Sequence, residues 1–359
     1  MALYRIFPTQ DASLYSQSPE QNTGRDELLE IGGYPIAGVG NTVRTVIQFK
    51  TSDFTDTLTN KASLDTIGHG GAFSASLHLA LNFAQELPVT FTLEGVALSK
   101  AWNEGVGKFG DRPLQKAGCS WTASDSGNNW ATPGGDVVTL NNGVDLTVSQ
   151  SFDKTTPYDI NMNVTDLVSQ WASGSTPLAN YGLLLKIQSS YENFTESSIR
   201  LKYYGSDTNT IYPPHIDIKW DDFTHTTGSL PELTDSDAVI TINNNKGEYA
   251  DQGKVRFRLN ARPKYPTRTF TTSSAFLKNF HLPTSSYWGL RDEYTEEMVV
   301  DFDTTFTKIS CDSKSNYFDF YLDGIQPERF YRLLIKTEID GSDIVIDNAL
   351  WSRSCFYSC

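Results

Sequence analysis

The sequence predicts an all-β protein built from two domains, and three observations carry that expectation. Short runs of alternating apolar and polar residues, rich in β-branched and aromatic side chains, recur along most of the chain; this is the period of half-buried strands. The composition, with 26 Gly, 17 Tyr and 20 Phe against 3 Met, favours strands and turns over helices. Only one segment carries a helical spacing.

Taken in order, "VRTVIQFK" from Val43, "FSASLHLALNFA" from Phe73 and "VTFTLEGVAL" from Val89 read as strands. So do "VVTLNNGVDLTV" from Val137, "YGLLLKIQ" from Tyr181 and "HIDIKWDD" from His215, with "NNG" at Asn141 to Gly143 as a hairpin turn. Phe49 falls on the expected core face of its strand. The helical piece is "VTDLVSQWASG", Val164 to Gly174, with Thr165 as the candidate cap, Leu167, Val168 and Trp171 on one face, and Gly174 as the stop. Residues 223–236, "FTHTTGSLPELTDS", lack periodicity and hold Gly, Pro, Thr and Ser, so a linker is expected there. Strands resume with "AVITI", "GKVRFRLNARP", "EMVVDFD", "YFDFYLDG", "FYRLLIKTEI" and "DIVIDNAL", about six in all. In "KVRFRLNAR", Val255, Phe257 and Leu259 face one way while Arg256 and Arg258 face the other.

The 359 residues have room for two domains of ordinary size. A formal net charge of −14 argues against a partner made of phosphates or anionic lipid, both of which demand a basic surface. Cys119, Cys311, Cys355 and Cys359 are too widely spread for a zinc knuckle or a redox pair. The start, "MALYRIFPTQ", has no basic and apolar leader pattern, and no window approaches 18 apolar residues. The expectation is therefore synthesis in the cytoplasm, without a signal peptide and without membrane insertion. His69, His78, His215, His225 and His281 form no metal or nucleophile motif; His78 reads as a strand residue. "GVGKFGD" at Gly105 is Gly-rich but has no helix after it to cradle a phosphate. The carboxylates Asp11, Glu104, Asp111 and Asp136 show no spacing that marks a hydrolytic pair.

Five blocks in order resemble the DNRLRE-type domain, a jelly-roll β-sandwich related to carbohydrate-binding modules. They are "DASLYSQSPEQNTGRDELLEIGG" (Asp11 to Gly33), "RTVIQFKTSD" (Arg44 to Asp53), "AWNEGVGKFGD" (Ala101 to Asp111), "GCSWTASDSGNNWATPGGD" (Gly118 to Asp136) and "NVTDLVSQWASGSTPLANYGLLLKI" (Asn163 to Ile187). The late "YPPHIDIKW" departs from the family's Arg-Pro ending. The resemblance implies an N-terminal jelly-roll β-sandwich over residues 1–222. "ARPKYPTRTFTTSSAFLKNFHLPTSSYWGLRDEYTEEMVVDFD" and "YRLLIKTEIDGSDIVID" resemble segments of structural proteins of large tailed phages, of the marine myovirus type. The six or so strands after the linker are enough for a smaller C-terminal β-sandwich over 237–350, with 351–359 as a tail, and the resemblance implies that this domain docks in a virion. Together the resemblances imply a non-enzymatic tail, baseplate, neck or capsid-decorating component. Its partners would be other virion proteins, or further copies in a symmetric assembly. The alternative is an adhesin that binds host surface glycan.

Candidate site residues follow from side-chain chemistry. Trp102, Trp121 and Trp130 lie in turn-rich segments, where indoles either stack on a sugar face or plug the end of a sandwich. Arg262, Lys264 and Arg268 make "RPKYPTRTF" a locally basic docking segment in an acidic chain. Tyr287, Trp288 and Arg291 have the composition of an interface or of a lid on the core. No cofactor is expected beyond a structural Ca²⁺, for which Asp11 and Asp217 are candidate ligands without a supporting Asp-x-Asp-x-Asp run. The loop from Ser18 to Gly24 reads as turn chemistry facing water, in preference to a subunit or a glycan.

Overall fold

The computed structural model describes the chain except for residues 1, 62–72, 86, 173–177, 193–197, 221–224, 244–253, 268–273, 323–324, 326–328, 340, 348–350 and 353–359. Its regular structure is nearly all strand, in agreement with the all-β expectation. Two compact units emerge, Arg5–Ile218 and Met1–Tyr4 with Lys219–Cys359.

The strands that begin the chain are β1 (Ala2–Ile6), β2 (Pro8–Tyr15), β3 (Leu28–Ile36), β4 (Val39–Phe49), β5 (Phe73–Leu79), β6 (Leu81–Gln85) and β7 (Phe91–Leu98). After a long excursion come β8 (Thr147–Phe152), β9 (Ile160–Asn163), β10 (Leu183–Ile187), β11 (Ile199–Tyr204) and β12 (His215–Trp220). One sheet has the order β1-β12-β5-β9. The larger runs from the short Val137–Val138 strand through β7-β10-β4-β3-β11-β6, with β8 also on β7 and β2 also on β4. The strand β10 pairs on both sides, with β4 and with β7. Covered on both faces as well, it reads as the continuous apolar run "LLL" rather than as an alternation. The expected hairpin forms: Leu140 stands opposite Asp145 and Asn141 opposite Val144, with Asn142-Gly143 as the turn. A side chain on Gly95 of β7 would reach to 3.7 Å from the sulfur of Met162 on β9, so the two sheets meet there.

The helix α2 (Thr165–Ala172) forms as expected, with Leu167, Val168 and Trp171 buried. Its cap differs. The Asn163 side-chain oxygen accepts the Thr165 amide (3.0 Å), while the Thr165 hydroxyl accepts the Ala75 amide (2.9 Å) and ties the helix to β5. The expected stop, Gly174, lies outside the described residues. A second short helix, α1 (Thr51–Thr55), continues into a wide turn over Asp56–Lys61 and was not expected from its polar sequence. Phe54 and Leu58, four residues apart, are its only large apolar side chains and are both buried; Phe54 stacks on Trp171 at 5.8 Å. Tertiary burial of that one pair overrides weak propensity.

The loop read as facing water does not do so: Gln21, Asn22, Thr23 and Gly24 are all buried. Asn22 is the reason. Its Nδ2 donates to the carbonyls of Glu104 (2.6 Å) and Cys119 (2.8 Å), and its Oδ1 accepts the Gly107 amide (2.7 Å). The turn is the pin that holds the distant 103–119 segment.

The other unit contains β13 (Ala238–Ile242), β14 (Lys254–Pro263), β15 (Ser286–Asp292), β16 (Met298–Val300), β17 (Asn316–Tyr321), β18 (Tyr331–Ile339) and β19 (Ser342–Ile346). One sheet is β13-β14-β17 with a short strand at Ser310–Cys311; the other is β16-β15-β18-β19, with Trp351–Ser352 on β18. The β14 alternation is as read. Phe257 and Leu259 enter the core, while Arg256 forks Asp319 (2.7 and 2.9 Å) and Arg258 forks Asp312. Residues 225–236 are not a free linker. The Leu233 amide donates to the His281 carbonyl (2.9 Å), His281 returns a bond to Pro231, and the Leu233 side chain is buried in the core. Such a segment lacks periodicity because isolated anchors, Leu233 and the Thr226 backbone bonded to Ser310 and Cys311, hold it rather than an alternating face.

Candidate functional site

The long excursion between β7 and β8 packs over one face of the larger sheet. On β2, β4 and β10 that face presents Ala12, Leu14, Val46 and Leu184. Trp102, Cys119 and Trp130 cover these residues, with Trp121 and Tyr181 alongside. The buried indole N–H groups are satisfied inside the layer: Trp102 Nε1 donates to the Tyr181 carbonyl (2.8 Å) and Trp130 Nε1 to the Ser120 carbonyl (2.9 Å). Of the two roles expected for these indoles, Trp102 and Trp130 take the packing one and are not sugar platforms, because neither ring has a free face. Only Trp121 stays partly exposed.

Beside Trp121 lies a cleft of about 690 Å³. Val96 of β7 and Leu184 of β10, paired in register, form its floor with Val137. Arg44, Lys100 and Lys186 bring three cations to its walls, and Ser99, Thr132 and Asp136 add polar rim groups. Arg44 and Lys186 are outward positions on strands whose other face is core. Their guanidinium and ammonium groups therefore snorkel to the opening while their stems lie on the sheet. The Arg44 guanidinium sits 5.1 Å over the Trp121 ring and forks Glu192 (2.8 and 3.0 Å). The Lys186 ammonium pairs with Glu94 at 2.9 Å. Lys100 donates to the Asn129 carbonyl and, among the described residues, has no carboxylate partner. Gly134 permits this assembly: at φ +91°, a Cβ there would fall 2.8 Å from Trp121 and 2.9 Å from the Arg44 guanidinium. The Asp136 carboxylate accepts the amides of Ala131 (2.9 Å) and Thr132 (2.7 Å) and so shapes the rim.

An apolar floor and three cations, one of them lying over the neighbouring Trp121 ring, have the chemistry that suits a compact anionic or polyhydroxyl ligand. The lining holds one carboxylate, already committed to two amides, whereas glycoside hydrolysis uses two. Sequence reasoning missed Arg44, Lys100 and Lys186. The readable signal was a cation at an outward position of an otherwise apolar strand, in "VRTVIQF" and "LLLKI".

The candidate Ca²⁺ ligands receive different partners. Asp11 is buried, accepts the Ser206 amide (2.7 Å) and offers its own amide to Glu104 (3.0 Å). Burial pushes the Asp11 carboxyl up to about 7 despite the Ser206 amide, with the charges of Glu104 and Asp207 adding to the rise. Burial raises Glu104 as well. Asp217 is forked by Arg5 (2.8 and 3.1 Å) and faces His78 and His215. Neither environment is the oxygen cage that Ca²⁺ requires.

In the other unit, Trp288 is fully buried and stacked 4.7 Å from Phe318, so of its two expected roles it takes the core one and not the interface. Tyr287, its neighbour on the opposite strand face, is half-buried. Arg291 is 3.6 Å from Asp347. Arg262 and Lys264 have no carboxylate partner among the described residues and lie over the rings of Phe276 (5.1 Å) and Tyr265 (5.5 Å). Arg268 lies outside the described residues.

No protein-family model, curated protein or solved structure matches this chain. The family resemblances rest on the quoted motifs alone.

Proposed function

We propose that the chain is a non-enzymatic structural protein of a tailed-phage particle, in which the first unit carries a ligand-binding cleft and the second serves assembly. The chemistry of the cleft carries the non-enzymatic part. Its single carboxylate is held by two backbone amides, and of its three cations Arg44 and Lys186 are paired with Glu192 and Glu94, which leaves Lys100 to meet an anion and no acid–base pair to break a bond. The resemblance of residues 261–303 and 331–347 to phage structural proteins supports the virion part. Residues Arg262, Lys264 and the exposed Tyr265, Phe276 and Leu277 form a basic, aromatic surface suited to an acidic neighbour. Mass spectrometry of purified particles should find the chain in stoichiometric amount; its absence from particles removes this reading.

The second reading, a glycan-binding adhesin, is favoured by one observation, the pairing of half-exposed Trp121 with the Arg44 guanidinium at the cleft. On a glycan array the protein should then prefer acidic sugars. Lys100→Ala and Trp121→Ala should each weaken binding by about tenfold or more. An array without any bound glycan eliminates the adhesin and leaves the structural reading standing.

A further inference from the structure

The sheet β1-β12-β5-β9 brings two imidazoles and a carboxylate together on adjacent strands. On β5, Phe73, Ala75, Leu77 and Leu79 are buried, which sends His78 to the opposite face. On β12, Ile216 and Ile218 point into the core, and His215 and Asp217 share the other face by alternation. His78 Nε2 lies 3.8 Å from Asp217 Oδ2, and His215 Nε2 lies 3.8 Å from Asp217 Oδ1. One ligand atom from each of the three falls within 4.8 Å of the others. The two rings are nearly parallel, at 14°, with centroids 5.0 Å apart.

The tautomer of His215 is decided by its other nitrogen. Nδ1 is 3.0 Å from the Pro213 carbonyl, which can only accept, so Nδ1 carries the hydrogen and Nε2 presents a lone pair to the carboxylate. Two lone-pair donors facing each other across 3.8 Å call for a cation between them. An imidazole oriented by a backbone carbonyl through its far nitrogen is the usual support for a metal-binding histidine.

We propose that His78, His215 and Asp217 bind one divalent transition-metal ion of the Zn²⁺, Co²⁺ and Ni²⁺ class through two nitrogens and one oxygen, with water completing the coordination. Nitrogen-rich donors select this class over Ca²⁺ and Mg²⁺, which take oxygen cages. Arg5 shapes the site from the far side. Its fork takes one lone pair from each Asp217 oxygen and leaves the remaining lone pairs toward the histidines. Its positive charge also opposes the ion, so binding depends on both imidazoles together.

Titration of the full chain with Co²⁺ near neutral pH, read by visible absorption and calorimetry, tests this. One ion per chain should bind and raise the visible d–d bands, without a thiolate charge-transfer band from Cys355 or Cys359. His78→Ala and His215→Ala should each lose about tenfold or more in affinity, and the double variant should lose the signal. His78→Gln, which keeps a polar side chain at the surface, serves as the second variant if alanine disturbs folding, and circular dichroism verifies the fold in each. The proposal is overturned if the wild type shows no cobalt bands, if the bands survive in the double variant, or if excess Ca²⁺ displaces them.

Discussion

At the scale of single residues, Asn22 and Asp11 show how much of this protein rests on buried polar groups. Replacing Asn22 by Ala would leave the Glu104 and Cys119 carbonyls and the Gly107 amide without their partner in a buried site. The expected cost is about 3–4 kcal/mol, measurable by denaturant titration; a loss under about 1 kcal/mol would show that water replaces the side chain. Asp11 makes stability pH-dependent. Its folded value of about 7 stands above an unfolded value of about 3.9, so between those limits the native state binds more protons than the unfolded chain. Stability should therefore fall as pH rises through this window and level off above it, by up to roughly 2–4 kcal/mol from this group. Asp11→Asn retains an acceptor for the Ser206 amide and should flatten the profile between about pH 4 and about pH 7. An unchanged slope would assign it to Glu104 or Asp26, which burial also raises.

At the scale of elements, the alternation of apolar residues was a faithful guide wherever one face met the core, as in β5 and β14. It was silent for α1, where a single buried pair, Phe54 and Leu58, stabilises a polar segment. It also missed β15: "SYWGLRD" reads as an aromatic connection, an interface or a lid on the core, yet it pairs along its whole length with β18. An interface and a core strand use the same residue types, and only the partner strand distinguishes them. Phe49, fully buried beside Phe54 at 6.3 Å, links β4 to α1. Phe49→Ala should cost about 3–5 kcal/mol in chemical denaturation. A melting temperature within a degree of wild type would place Phe49 outside the core.

At the scale of the whole molecule, two units with separate cores should unfold as separate events. Calorimetry should resolve two transitions, with Phe49→Ala lowering one and Trp288→Ala the other. A single transition shifted by both would show one cooperative unit. The amino-acid sequence by itself determined the all-β class, most strand positions, the α2 helix and the acidic net charge, because these follow from local period, composition and charge. Tertiary structure alone decided which indole stays open, that Asn22 is a pin rather than a turn tip, and that residues 225–236 pack into a core. It also brought Arg44, Lys100 and Lys186 to one cleft, and His78, His215 and Asp217 to one another. The reason is physical: each of these facts depends on which segments become neighbours, and contact between segments distant in sequence leaves no periodic trace in either.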